Sequence, residues 1–286
     1  MHSPIYFPMF GENFSVDPAN YFEVFGFRIY WYGAIIAIGF ILAVSYALYR
    51  KKDFGLTEDN VIDMLLFAVP IAIIGARLYY VVFNFDLYRG DLASVFRIRD
   101  GGLAIYGGII FGAITVFVFA KVKKIPVGAL LDLCSLPLLI GQAVGRWGNF
   151  MNREAYGAVT DVMWRMGITL NDGSVTYVHP TFLYESLWNI LGLILLHFWS
   201  KKHRHFDGEL FLLYLCWYGF GRFFIEGLRS DSLYIFGTGL RVSQLVAIVT
   251  FVASAILLII INKRKNNKEL YVNRVAAKSA ESEENN

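Results

Sequence analysis

The chain has 286 residues, of which 56% are hydrophobic and 17% are charged, and its formal net charge is +3. A soluble domain is roughly 45–50% apolar and about 25% charged, so this composition excludes an ordinary soluble protein. The small net charge gives no indication of a nucleic-acid partner, and we expect none.

Apolar residues come in blocks of about 20, which is the length needed to cross the hydrocarbon layer of a bilayer. They predict an all-α, polytopic membrane protein with seven transmembrane helices. The predicted spans are about 29–49, 60–83, 103–122, 126–147, 180–200, 208–228 and 240–262. Residues 1–262 are expected to form one integral membrane domain. Residues 263–286 are polar and charged, which predicts a basic, disordered cytosolic tail.

Basic clusters follow the first, third, fifth and seventh predicted spans. They are Arg50, Lys51 and Lys52, then Lys121, Lys123 and Lys124, then Lys201, Lys202 and Arg204, and finally Lys263, Arg264, Lys265 and Lys268. By the positive-inside rule these ends are cytoplasmic, so the N-terminus is predicted outside and the C-terminus inside. The longer outer loops, 84–102 and 150–179, are predicted to form a small extracytoplasmic head.

The most polar part of the fourth span begins in an apolar run and ends in a loop. Gln142, Arg146 and Asn149 fall at i, i+4 and i+7, so on a helix they share one face. An ionisable residue inside a span is a candidate functional residue, because a guanidinium in hydrocarbon needs a partner. The alternative for Arg146 is that its side chain snorkels to the outer headgroups.

The sixth span carries a second polar stripe. Tyr218, Arg222, Glu226 and Arg229 lie on one helix face, and the glutamate is one turn from each arginine. The alternative is a salt-bridge ladder that only pins the helix at the interface. Arginine holds a phosphate through two parallel hydrogen bonds, so the two stripes predict a site for a phospholipid headgroup near the outer surface.

Several other residues keep two interpretations. Arg77, in the outer third of the second span, either binds phosphate or snorkels. His179, at the start of the fifth span, is either a helix cap or a catalytic base. Tyr32 belongs either to the site or to an aromatic belt. Asp132 in the fourth span either pairs with a basic group or caps local structure. The small residues Gly107, Gly108 and Gly112 are predicted to pack helices.

The motifs that hold these residues resemble those of the bacterial phosphatidylglycerol–prolipoprotein diacylglyceryl transferases. They are Gly101-Gly102-Leu103-Ala104-Ile105-Tyr106-Gly107-Gly108, Gly145-Arg146-x-Gly148-Asn149-Phe150-x-Asn152-x-Glu154-x-x-Gly157, His179-Pro180-Thr181-x-Leu183-Tyr184-Glu185 and Tyr218-Gly219-x-x-Arg222-Phe223-x-x-Glu226-x-x-Arg229-x-Asp231. Arg241-x-Ser243-Gln244 is a weaker fifth motif, and together they cover about residues 28–245.

The resemblance implies a multi-pass enzyme of the bacterial plasma membrane that needs no cofactor and no metal. It implies transfer of the sn-1,2-diacylglyceryl group from phosphatidylglycerol to the lipobox cysteine of a prolipoprotein, which forms a thioether and releases glycerol phosphate. It also implies that Arg146 and Arg222 handle the phosphate. Other expected substrate-binding residues are Tyr32, Asn149, Glu154, Gly157, His179, Tyr218, Glu226 and Arg229. Glu154 and Glu226 are expected to orient the arginines.

The chain departs from the family at Tyr106, where many members carry a histidine that has been considered as a base. A tyrosine ordinarily titrates near about pH 10 and is a poor general base at neutral pH, although it can donate a hydrogen bond to a phosphate. Either the base lies elsewhere, or the substrate thiol needs only a positive field.

Three other functions fit parts of the pattern. A transporter needs polar residues through the full membrane depth and usually an internal repeat, and the sequence has neither. A hydrolase needs a nucleophile with a base or a metal pair, which the motifs do not contain. His203, His205 and Asp207 have residue types that bind metals, but they lie in a basic loop, where a solvated turn is the simpler interpretation. A lipid-binding assembly factor fits the same arginines, and only a transfer assay distinguishes it from the enzyme.

Overall fold

The computed structural model describes residues 4–98, 101–170, 172–230, 234, 241–263 and 269–284. A long helix occupies each of the seven apolar segments, with ends within five residues of those predicted. The helices are α1 Trp31–Arg50, α2 Glu58–Phe83, α3 Ile105–Lys123, α4 Val127–Asn152, α5 Thr181–Lys202, α6 Glu209–Leu228 and α7 Val242–Lys263. Asp231, at the end of the motif that begins at Tyr218, lies outside the described residues.

Six helices in the described part of the chain are long and apolar enough to cross a membrane. They are α1 to α5 and α7. The remaining long helix, α6, carries Glu209, Arg222 and Glu226 among its 20 residues. The chain is therefore a mainly helical, polytopic membrane protein with six candidate spanning helices.

The sequence predicted a single domain, and the chain divides into two compact units. The first unit comprises Met1–Tyr46, Cys134–Arg204 and Glu209–Asn267. The second comprises Ala47–Leu133, His205–Gly208 and Lys268–Asn286.

The first unit contains β-structure, which corrects the expected all-α class. The strands are β1 Ile5–Tyr6, β2 Ser15–Val16, β3 Tyr21–Val24, β4 Phe27–Tyr30, β5 Met166–Thr169 and β6 Val175–Val178. One antiparallel sheet has the order β2-β1-β5-β6, and β3 and β4 form a separate hairpin. With two to four residues each, these strands are too short to show the alternation by which a strand is predicted.

The sheet has its own apolar core. Ile5, Met166, Ile168 and Val178 are buried together with Phe182 from the first turn of α5. Burial of an aliphatic or aromatic side chain of this size stabilises by about 1.5–3 kcal/mol. The sheet therefore packs against the beginning of α5, which is where one of the predicted motifs lies.

In the second unit, α2 and α3 pack through small residues, as the sequence predicted. A Cβ added to Gly107 would lie 2.3 Å from the carbonyl oxygen of Gly75, and one added to Gly108 would touch Ala72 and Ala76. The absence of side chains at these positions allows the two helices to approach closely. A capping box at Thr57 and Asn60 satisfies the first turn of α2.

Arg77 on α2 is enclosed by the loop that leads to α3, so neither of its two sequence-based interpretations, phosphate binding or snorkelling, describes it. All five of its N–H groups donate to backbone carbonyl oxygens, and the guanidinium carbon lies 5.2 Å from the centre of the Tyr88 ring. The accepting carbonyls, at 2.6–3.3 Å, belong to Ser94, Val95, Arg97, Gly101 and Gly102. Arg77 thus stabilises the conformation of the glycine-rich loop before α3.

Part of the segment expected to be disordered is a helix, α8 Tyr271–Glu284. The buried carboxylate of Asp132 on α4 accepts a hydrogen bond from the backbone N–H of Gly208, at 2.9 Å. The adjacent Asp207 accepts one from the N–H of Tyr271, at 3.0 Å, and so caps α8. A Cβ added to Gly55 would lie 2.9 Å from Val272. These contacts order the helix, and a composition-based prediction of disorder does not take them into account.

Replacement of Arg77 by lysine is expected to loosen the loop 85–98. Lysine has three donors, so at least two of the five carbonyl oxygens lose their partners, at a cost of about 1–3 kcal/mol. Thermal unfolding should begin at a lower temperature, and limited proteolysis should cut this loop faster. Arg89→Lys is the matched control, because Arg89 is 72% exposed and pairs with the exposed Asp86. Equal cleavage rates for the two variants would contradict this role of Arg77.

Replacement of Asp207 by alanine is expected to release α8. Loss of a helix-capping carboxylate costs about 0.5–2 kcal/mol, which is enough to make a 14-residue helix fray. Amide hydrogen exchange across Tyr271–Glu284 should become faster while exchange in α2 stays unchanged. Asp86→Ala, which removes an exposed carboxylate from the same unit, should change neither. Continued protection of α8 in the Asp207 variant would show that the cap is dispensable.

Candidate active site

Two arginines, from α4 and α6, meet one glutamate on α5 within the first unit. Arg146 Nη2 lies 2.5 Å from Glu185 Oε1, and Arg222 Nη1 lies 3.1 Å from Glu185 Oε2. The Glu185 side chain is 4% exposed, whereas those of Arg146 and Arg222 are 21% and 15% exposed. The two arginines that the sequence predicted to act together are therefore joined by one buried carboxylate and remain partly accessible.

Glu226 holds the second arginine from within α6. Its Oε2 lies 2.6 Å from Arg222 Nη2, one turn earlier, and 3.9 Å from Arg229 Nε. Its backbone carbonyl accepts a hydrogen bond from Arg241, which belongs to the weak fifth motif. Glu226 is thus in direct contact with Arg222, and its contact with Arg229 is weaker. Arg222 thus has one carboxylate on each side.

The other predicted orienting acid, Glu154, acts indirectly, which corrects the sequence-based expectation. Its Oε1 accepts hydrogen bonds from Asn149 Nδ2 at 2.9 Å and from Asn152 Nδ2 at 3.3 Å. Asn149 in turn accepts a hydrogen bond from Arg146 Nη1 at 3.2 Å. Glu154 therefore fixes the orientation of the Asn149 amide, and that amide positions the guanidinium. The i+3 step from Arg146 to Asn149 makes this chain possible at the end of α4.

Gly157 joins the loop after α4 to the beginning of α5 and the end of α6. Its N–H donates to the carbonyl oxygen of His179 at 2.9 Å, and its backbone pairs with that of Arg229. A Cβ at this position would lie 2.6 Å from the His179 Cβ and 2.9 Å from the carbonyl oxygen of Leu228. Any side chain would push these segments apart. The structural requirement at Gly157 is thus close approach of three backbone segments.

The remaining predicted residues of the first unit lie around this cluster in different ways. The Tyr32 ring packs over Gly148, where an added Cβ would lie 2.9 Å from a ring carbon. Tyr218 precedes Arg222 by one turn and stacks on Tyr214, with ring centres 6.1 Å apart. The described hydrogen bond of the His179 ring is to the hydroxyl of Tyr184, at 3.2 Å. That contact connects His179 to the surroundings of the sheet and favours the structural interpretation over the catalytic one.

Tyr106, the residue at the family's histidine position, belongs to the second unit. It lies in the first turn of α3, two residues after the extended Ala104 that precedes the helix, and 39% of it is exposed. The arginine cluster belongs to the first unit.

Glu185 is the central residue that the sequence did not single out. It appeared in the third motif, but only Glu154 and Glu226 were expected to orient the pair. One sequence feature could have identified it, namely an acid within the predicted membrane level of Arg146 and Arg222. A buried carboxylate at that level needs cationic partners, and those two arginines are the partners available on neighbouring helices.

The chemistry of this cluster suits an anion. Among the residues that the structure describes, Arg146 uses two of its five N–H donors, which leaves three for a bound oxyanion. Guanidinium groups bind phosphate through paired, charge-assisted hydrogen bonds. Within the described residues, no group of three or more His, Cys, Asp or Glu side chains is placed to hold a metal ion.

Comparison with known proteins identifies the family of the chain. A sequence model of the family described as prolipoprotein diacylglyceryl transferase matches residues 19–260. Three similar proteins are each named phosphatidylglycerol–prolipoprotein diacylglyceryl transferase. That of Enterococcus faecalis is 46% identical over 87% of this chain and 92% of its own length, and that of Finegoldia magna is 47% identical over 82% and 92%. That of Oceanobacillus iheyensis is 45% identical over 87% and 89%. The chain therefore belongs to the prolipoprotein diacylglyceryl transferase family.

Proposed function

We propose that this protein transfers the sn-1,2-diacylglyceryl group of phosphatidylglycerol to the sulfhydryl of the lipobox cysteine of a prolipoprotein, as the first step of lipoprotein maturation. The observation that carries the proposal is the pair of partly accessible arginines, Arg146 and Arg222, that share the buried carboxylate of Glu185. Such a pair fits the phosphate of a phospholipid. The names of the related proteins contain the same two substrates, phosphatidylglycerol and a prolipoprotein.

The reaction is a substitution at a glyceryl carbon. The thiolate sulfur attacks the carbon that carries the phosphate ester, a C–S bond forms, and the C–O bond breaks. Glycerol phosphate leaves with the electron pair of that bond, so negative charge grows on its phosphate oxygens. Arg146 and Arg222 stabilise this charge more strongly in the transition state than in the bound lipid, and this difference accelerates the reaction.

Glu185 makes the arginine pair an organised site before the lipid arrives. Two guanidinium groups repel each other, and a carboxylate that binds one through each oxygen offsets the repulsion and fixes both orientations. Preorganised charges need no rearrangement when the leaving group develops its charge. Asn149 holds Arg146 from the other side, and Glu226 does the same for Arg222.

The acceptor thiol must lose its proton, which is released to water. A cysteine thiol ordinarily titrates near about pH 8.5, and a nearby positive charge favours the thiolate. The arginines therefore serve the nucleophile as well as the leaving group. Tyr32, Tyr218, Gly157, Arg229 and His179 are proposed to shape the lipid site.

The proposed topology has seven spans in one membrane domain of the bacterial plasma membrane, with the N-terminus outside and the C-terminus in the cytoplasm. In this arrangement α6 is the additional span, and the ion pairs of Arg222 and Glu226 lower the cost of placing their charges in the membrane. Phosphatidylglycerol and the signal helix of the prolipoprotein are both embedded in the bilayer. Both substrates therefore reach the arginines sideways from the outer leaflet.

A transfer assay with purified components tests the proposed function. The protein is incubated with phosphatidylglycerol vesicles and a peptide that contains a lipobox, and the peptide is then analysed by mass spectrometry. We expect the mass of one diacylglyceryl group on the cysteine and none on a peptide with serine in its place. If the protein binds the vesicles but leaves the peptide unmodified, it is a lipid-binding factor and the proposal fails.

Arg146→Ala and Arg222→Ala are each expected to lower kcat by about 10²–10³-fold, the usual effect of losing one donor to a developing oxyanion. The double variant should be little worse than either single variant, because the two groups bind the same phosphate. Arg28→Ala is the control, since Arg28 is largely exposed and pairs with the exposed Glu23. Near-normal turnover in either single variant would remove that arginine from the mechanism.

A further inference from the structure

The helices α5 and α6 are joined by a reciprocal pair of tryptophans. The indole rings of Trp188 and Trp217 stack with centres 4.1 Å apart and planes inclined by 12°. Trp188 Nε1 donates to the backbone carbonyl oxygen of Trp217 at 3.0 Å, and Trp217 Nε1 donates to that of Trp188, also at 3.0 Å. Each tryptophan therefore fills the same role on its own helix, and we call the pair the indole clasp.

Glycine makes the clasp sterically possible. Each tryptophan is followed four residues later by a glycine, Gly192 on α5 and Gly221 on α6, so each glycine lies beside the carbonyl that accepts the bond. A Cβ on Gly192 would lie 2.2 Å from Trp217 Nε1, and one on Gly221 would lie 2.1 Å from Trp188 Nε1. Such distances cannot exist, so an alanine at either position would displace the opposite indole.

The clasp lies next to the arginine cluster along both helices. Trp188 follows Glu185 by three residues, which is about one turn, and Gly221 immediately precedes Arg222. The two hydrogen bonds run in opposite directions between the helices, so they resist sliding either way. A slip of one residue along a helix is about 1.5 Å. A shift of that size is about half of the 3.1 Å between Arg222 Nη1 and Glu185 Oε2, so it would distort this contact.

We propose that Trp188 and Trp217 are positioning residues for the transfer reaction, acting through Glu185. The clasp fixes the register of α5 against α6, and this register sets the distance between Glu185 and Arg222. A clasp that served only to hold the helices together would affect stability without acting through Glu185. This inference rests on the proposed function, because its catalytic consequence appears only in a transfer assay.

Trp188→Phe and Trp217→Phe test the clasp without removing an aromatic ring. Each variant keeps a ring in the stack and loses one N–H donor. We expect kcat to fall about tenfold with KM for phosphatidylglycerol within about twofold, because small misplacements of a catalytic group cost up to about 10²-fold in rate. Trp199→Phe is the control, since Trp199 lies near the other end of α5 against His203 and should retain full activity. Normal kcat in both clasp variants would overturn the proposal.

The same substitutions in a Glu185→Gln background distinguish positioning from a general structural role. If the clasp acts through Glu185, Trp217→Phe should lower kcat by less than about twofold in that background. An undiminished tenfold loss would show that the clasp acts elsewhere and would overturn the proposal.

A readout without activity separates the clasp from the proposed function. Two stacked indoles couple as excitons, which gives a paired signal in far-ultraviolet circular dichroism. This signal should disappear in Trp188→Phe and in Trp217→Phe and persist in Trp199→Phe. Persistence in the clasp variants would overturn the clasp itself. If the signal behaves as expected but the unmodified protein transfers no lipid, the clasp stands and both the proposed function and the positioning role fail.

Discussion

The bridge from Glu185 to Arg146 and Arg222 is the interaction on which the arrangement of the first unit depends. It connects α4, α5 and α6 through one carboxylate that is almost fully buried. A buried charge that loses its partner costs about 3–5 kcal/mol, so the three helices are strongly constrained to one relative arrangement. The close backbone approach at Gly157 and the indole clasp keep the helices close enough for the bridge to form.

The sequence predicted what depends on local periodicity and membrane thickness. All seven helices were located because each apolar block has the length that a bilayer requires. Arg146 and Arg222 were paired by the resemblance to the family, and the polar stripes that carry them were both predicted near the outer surface. Glu185 was not assigned to them, because the rotation of α5 about its axis decides which way that side chain points. Arg77 was left open because its partners are backbone carbonyls, and these carry no sequence signal.

The sheet and α8 show a second limit of sequence-based prediction. Strands of two to four residues carry little sequence signal, and β1 pairs with the distant β5. The tail is polar, yet Asp207 and Val272 supply the cap and the contact that a short helix needs. In both cases long-range contacts decide the structure, and composition alone favours a loop.

The position of β1 has a consequence for biosynthesis. Ile5 pairs with Ile168, so β1 cannot pair with β5 until some 160 further residues have been made. At about 5–20 residues per second, roughly 10–30 s pass between the two events. The edge of β1 stays open during that time, and the sheet closes only after the helices α1 to α4 have been translated. Closure of the N-terminal segment is therefore a late step of maturation, and a bulky fusion at the N-terminus would interfere at that step.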